Sequence, residues 1–234
     1  MASKNPYHEC LQQVTDRIHR ACQAGHRPLD AVRLLAVSKT HDVAAIRALA
    51  AAGQRDFGEN YLQEALPKIA DLVAFPLTWH FIGRIQGNKT RPIAEHFAWV
   101  HSLANLHHAE RLSVQRPGHL PPVKVCIQVN ISGEASKEGV APAQLRSLID
   151  GCLRLPGLSL QGFMAIPAPA SGNPSCEILQ QPFRALRELR DHYQAIGFDL
   201  PELSMGMSDD LEAAIDEGST WVRVGTALFG SRTA

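Results

Sequence analysis

Between Arg33 and Gly230 the chain alternates short apolar runs with longer amphipathic ones, eight times over. The runs are "RLLAVS" (33–38), "RDFGEN" (55–60), "LTWHFIG" (77–83), "AWVHSL" (98–103), "VKVCIQVN" (123–130), "LSLQGFMAI" (158–166), "ELSM" (202–205) and "WVRVGTALFG" (221–230). The fifth is the clearest strand, with β-branched residues at Val123, Val125, Ile127 and Val129. Strands that alternate with helices pair in parallel and are covered on the side where the helices return. Eight such units in about 200 residues fit a closed barrel near its minimum size. The rival is an open, doubly wound sheet, which normally carries a glycine-rich dinucleotide turn after its first strand. Here that turn is Ser38-Lys39-Thr40-His41-Asp42. The expected fold is therefore α/β: a single-domain (β/α)₈ TIM barrel over residues 1–234, with an extra N-terminal helix at about 7–24.

Local punctuation agrees with this reading. Asp42 is placed to cap the helix in "DVAAIRALAAAG" and Gly53 to stop it. Pro67 predicts a kink or break in "YLQEALPKIADLV". Pro167, Pro169, Gly172 and Pro174 fall in one long segment, read as a lid-like βα loop.

Composition argues against several functions, although a balanced chain can still carry a local basic patch. Acids and bases balance at 23 each, against the basic excess that nucleic-acid binding normally requires. No run approaches the ~18 apolar residues of a membrane span. The N-terminal stretch carries charge throughout and lacks a signal-peptide core. Five cysteines, with no C-x-x-C pair, read as free thiols in a reducing compartment. The expected location is the cytoplasm.

Barrel active sites are built from the C-terminal strand ends. Those ends offer Lys39 and Thr40; Glu59, Asn60 and Tyr61; His80, Arg84, Gln86, Asn88 and Lys89; His101 and Ser102; and Asn130. The last three strands add Met164 and Ile166; Met205, Gly206, Met207 and Ser208; and Arg223, Gly225 and Thr226. A lysine at a low-polarity mouth loses its proton more readily than one in water and can then attack a carbonyl. The loops after strands seven and eight commonly hold phosphate in barrels. Here "MGMSDD" and "VGTALFG" supply glycines and hydroxyls. Together these features suit a phosphorylated aldehyde. Gly206 and Gly225 are equally compatible with plain turns, and Asp209 and Asp210 with helix N-terminal acids that must turn away from any anion. His80 and His101 allow a metal-dependent barrel hydrolase, although the H-x-H pair that such a site favours after the first strand is absent.

The motifs "LLAVSKT", "DFGENYLQEA", "WHFIGRIQGNK", "GFMAIPAP" and "LSMGMSDDLEAAIDEGSTWVRVGTALFG" occur in this order. They resemble the pyridoxal phosphate homeostasis protein family, whose fold is similar to the alanine racemase barrel. The resemblance implies pyridoxal 5′-phosphate (PLP) as cofactor, held as an aldimine at Lys39. It also implies Asn60 lining the cofactor; Met207, Ser208, Gly225 and Thr226 around the phosphate; and Arg223 facing the pyridine nitrogen. An arginine there keeps that nitrogen unprotonated and weakens the ring as an electron sink. Arg84 and Gly87 stand where the family often has Pro and Ser.

The resemblance points to a carrier or buffer of PLP rather than an enzyme, with apo-PLP enzymes as possible partners. Racemases of this fold use a second base opposite the lysine, commonly a tyrosine, together with an added β-domain. The chain stops at Ala234, just after the eighth strand, and of Tyr7, Tyr61 and Tyr193 only Tyr61 lies near a strand end. The expectation is a monomer without robust catalysis. The alternative is a small PLP-dependent racemase or lyase that uses Lys39 alone.

Overall fold

The computed structural model describes residues 6–133, 138–168 and 175–230. Its eight strands are β1 (Arg33–Val37), β2 (Asp56–Glu59), β3 (Thr78–Phe81), β4 (Trp99–Leu103), β5 (Val123–Gln128), β6 (Leu158–Met164), β7 (Glu202–Ser204) and β8 (Trp221–Val224). They pair in parallel in sequence order and close into a barrel, with β8 returning to β1 in the register Leu35 to Arg223. The helices are α1 (Pro6–Ala24), α2 (Val43–Ala51), α3 (Leu62–Asp71), α4 (Thr90–His96), α5 (Leu106–Gln115), α6 (Leu145–Cys152), α7 (Cys176–Ala195), α8 (Leu211–Asp216) and α9 (Thr226–Phe229).

The period-two pattern of the strands builds two layers. Outward residues such as Val125, Ile127, Val222 and Val224 join the helix faces in one continuous apolar shell. Burying each of its larger side chains is worth about 1.5–3 kcal/mol. Inward residues form a second, smaller cluster of Leu35, Trp99, Cys126, Met164 and Trp221.

Asp42 caps α2 by accepting the Ala45 N–H at 2.8 Å, and Gly53 follows the helix at a φ of +117°, as its sequence suggests. Two elements differ from expectation. Helix α3 runs through Pro67 without a break. The turn after the proline is tied to the barrel by Lys68, whose Nζ donates to the Ser38 carbonyl at 3.0 Å. The last apolar run is only half strand: β8 ends at Val224, Gly225 is the N-cap position, and the remainder winds into α9. The expected lid-like loop falls largely on residues 169–174, outside the described residues.

Candidate functional site

Each wall of the C-terminal mouth comes from a strand end, and local chemistry fixes each one. At the end of β1, Ser38 Oγ donates to Glu59 Oε1 at 2.6 Å, and Lys68 Nζ donates to the same oxygen at 2.9 Å. Burial pushes the Glu59 carboxyl up, while the Ser38 and Lys68 hydrogen bonds pull it down. This network lies under Lys39. On its other side Thr40 holds a φ of +67°, a left-handed conformation that a β-branched residue rarely adopts. Its N–H donates to Glu64 Oε2 at 3.0 Å. Strain of this kind, about 1–3 kcal/mol, persists only where surrounding contacts enforce it. Here the contacts fix the backbone on both sides of Lys39.

At the end of β2, Asn60 is clasped by the β3 exit. A Cβ on Gly83 would stand 2.0 Å from the Asn60 carbonyl oxygen, so only glycine permits that approach. Asn60 Oδ1 is buried with no protein partner. After β7, Gly206 turns the chain at a φ of +92°. Asp210 Oδ1 then accepts the Met207 N–H, and Arg17 from α1 donates to the Ser208 carbonyl at 2.9 Å. Burial raises the Asp210 carboxyl above its ordinary range, against the Met207 hydrogen bond that lowers it.

From β8, Arg223 points inward and is nearly fully buried. Its Nη1 donates to the Ser204 carbonyl at 2.6 Å and to Ser204 Oγ at 2.9 Å, and its Nη2 donates to the Ala165 carbonyl at 2.9 Å. Burial lowers this guanidinium to about 10, which leaves it charged at neutral pH. Gly225 and Thr226 follow at the start of α9.

These ends enclose a cavity of about 240 Å³. Lys39, Asn60, Met207, Ser208, Arg223, Gly225 and Thr226 all line it. Gly206 does not; its role is the turn. Asp210 is turned onto Met207, but Asp209 lines the cavity, so the expectation that both acids turn away holds for one of them only. His80 and His101 lie inside the barrel, below the mouth, and bond each other at 3.0 Å. Among the described residues no group of three or more His, Cys, Asp or Glu side chains is arranged to hold a metal ion. The 84–89 loop lies outside the cavity: Arg84 pairs with Glu138 at 3.3 Å, and Arg111 holds the Gly87 carbonyl at 3.0 Å. Tyr61 is half exposed and absent from the lining.

Val37, His41 and Ile82, absent from the strand-end candidates, also line the cavity. His41 stacks on Phe229 with ring centroids 4.5 Å apart. Its signal was present: Val37, Lys39 and His41 follow the inward alternation of β1 past the strand end.

The sequence model of the family described as alanine racemase, N-terminal domain, matches residues 10–233. The pyridoxal phosphate homeostasis protein of Pseudomonas aeruginosa is 57% identical over 224 residues, covering 96% of this chain and 95% of the relative. The chain belongs to the pyridoxal phosphate homeostasis protein family. Its Escherichia coli K12 member is 48% identical over 228 residues, covering 95% of each. Among solved structures of the family, PipY of Synechococcus elongatus with PLP bound superposes with a TM-score of 0.76 at 41% identity, covering 91% of this chain and 100% of PipY. The family's barrel is thus the architecture seen here.

Proposed function

We propose that this chain binds PLP at the C-terminal mouth, reversibly through Lys39, and acts as an intracellular carrier or buffer of the cofactor rather than a turnover enzyme. The observation that carries the reading is the convergence of an amine, a buried guanidinium and a hydroxyl-and-amide cup on one cavity. The residues fit the cofactor chemically. The Ser208 and Thr226 hydroxyls and the amides opening α9 suit a phosphate. The unsatisfied, buried Asn60 Oδ1 costs free energy until a ligand donor reaches it. Bound PLP would supply an aldehyde that condenses with the lysine amine, with loss of water, and is released by the reverse hydrolysis.

The chain's own groups explain why capture would not become catalysis. Arg223 is a fixed cation held by three hydrogen bonds, so a pyridine nitrogen placed against it would stay unprotonated. Among the described residues no tyrosine lines the cavity to act as a second base. PipY, 41% identical, is described with PLP bound, which supports the ligand. We read the protein as a cytoplasmic monomer that passes PLP to apo-enzymes. Its cysteines are all free among the described residues, as expected of a reducing compartment.

Titration with PLP is expected to give a visible absorbance band that Lys39→Ala abolishes. Deuterium exchange at Cα across a panel of amino acids is expected to stay at background; rapid exchange would favour the racemase or lyase reading. No PLP-dependent band in the wild-type protein would reject the site altogether.

A further inference from the structure

Barrel interiors are normally filled with layers of branched aliphatic side chains. This one places His80, His101, Ser204 and Arg223 there, beside Trp99 and Trp221, all of them buried. The polar members touch in sequence. Asp56 Oδ1 lies 3.0 Å from His80 Nε2, and His80 Nδ1 lies 3.0 Å from His101 Nε2. His101 Nδ1 lies 2.8 Å from Ser204 Oγ, which lies 2.9 Å from Arg223 Nη1. Asp56 opens on a separate cavity at the N-terminal mouth, whereas Arg223 lines the cavity around Lys39. The contacts therefore cross the barrel from end to end.

Counting protons gives the chain a direction. A guanidinium has no acceptor, so Arg223 donates to Ser204 Oγ. A carboxylate only accepts, so Asp56 takes the Nε2 proton of His80; a neutral His80 then accepts at Nδ1 from His101 Nε2, and a neutral His101 accepts at Nδ1 from the serine hydrogen. Every donor points from the Lys39 end toward the N-terminal mouth. This assignment needs both imidazoles neutral. Burial lowers both, and the cations Arg33, Lys124 and Arg223 act the same way, while Asp56 opposes them at His80 alone. Trp99 lies parallel to His80 at 5.6 Å and Trp221 crosses His101 edge-on at 6.1 Å, walling the pair off.

We propose that Asp56, His80, His101 and Ser204 are positioning residues, a one-way hydrogen-bond chain that sets Arg223 at the cofactor cavity from the opposite mouth of the barrel. The chain occupies one Nη1 hydrogen of Arg223, and the Ser204 and Ala165 carbonyls take two more. That leaves two of the five guanidinium N–H groups outside these bonds, on a side chain that lines the cavity. The tautomer assignment stands on the ligand-free protein; only the effect on PLP rests on the function proposed above.

Long-range ¹H–¹⁵N imidazole spectra of the ligand-free protein between pH 7 and 8 test it directly. Both rings are expected as neutral Nε2–H tautomers throughout. A ring protonated at Nδ1, or one titrating within that range, would overturn the chain. Asp56→Leu, with native circular dichroism, is expected to mix the tautomers of His80 and to weaken PLP binding by about tenfold, the scale of one charge-assisted hydrogen bond. Asp56→Asn keeps an acceptor oxygen and is expected to restore both readings, and Ser204→Ala should release the His101 tautomer from the other side. Wild-type affinity and absorbance in Asp56→Leu would show that the chain does not reach the cofactor. Wild-type protein that binds no PLP would reject the functional reading, while the spectra would still judge the chain.

Discussion

The residues around Lys39 show how a side chain is held just past a strand end. Ser38, Glu59 and Lys68 form a buried cluster beneath it, and Thr40 is fixed in a left-handed conformation above it. Removing Lys68 would strand the Glu59 charge, which costs far more than the intact pair contributes. Lys68→Ala is expected to lower unfolding free energy by about 3–5 kcal/mol in a denaturant titration. A loss under 1 kcal/mol would show that Glu59 is already protonated in the fold. Lys39 was not legible alone, since a lysine after a strand is most often a solvated loop residue; its place at a barrel strand end and the family resemblance singled it out. Its support was half legible: Glu59 stood among the strand-end candidates, whereas Lys68 lies 29 positions on, inside a helix.

At the scale of elements, the alternation of strands and helices carried most of the fold. Short β-branched runs and capped helices such as α2 are set by local chemistry, so they were readable. The exceptions were tertiary. Helix α3 tolerates Pro67 because contacts made elsewhere hold its second half. The end of β8 becomes helical at Gly225, in a run whose apolar residues suit either state. Strand-end residues that line the cavity were legible once the barrel was assumed; His41 was missed because it lies beyond the strand end, and Asp209 was expected to face away. The β2–β3 exit gives a test of this positioning. In Gly83→Ala the added methyl group must displace the Asn60 backbone, so a loss of about 1–3 kcal/mol in stability is expected. PLP affinity should fall with it. Unchanged affinity would separate Asn60 from the cofactor site.

For the molecule as a whole, the polar barrel interior ties stability to pH. His80 and His101 both lie below the ordinary 6.5 in the fold, because burial disfavours imidazolium. Below that pH the unfolded chain takes up protons that the fold refuses. Stability from these rings is therefore complete above about pH 6.5 and falls as pH drops toward their folded values, by about 1.4 kcal/mol per unit for each ring. Glu59 and Asp210, raised by burial, act in the opposite sense as they protonate. The histidine share is isolated by comparison: in His101→Gln the slope of stability between pH 6.5 and 5 should be shallower by one ring's worth. Equal slopes would place the His101 proton on the folded state as well. The sequence joined these histidines only as candidate metal ligands; their direct contact depends on β3 and β4 being neighbours in a closed barrel.

The central claim is that the lysine ending β1 is the covalent anchor for PLP. Borohydride reduction of the PLP-loaded protein, followed by peptide mass mapping, tests it most directly. A single reduced pyridoxyl phosphate adduct is expected on Lys39, absent from Lys39→Ala. Stoichiometric labelling of a different lysine, or undiminished labelling in the variant, would contradict it.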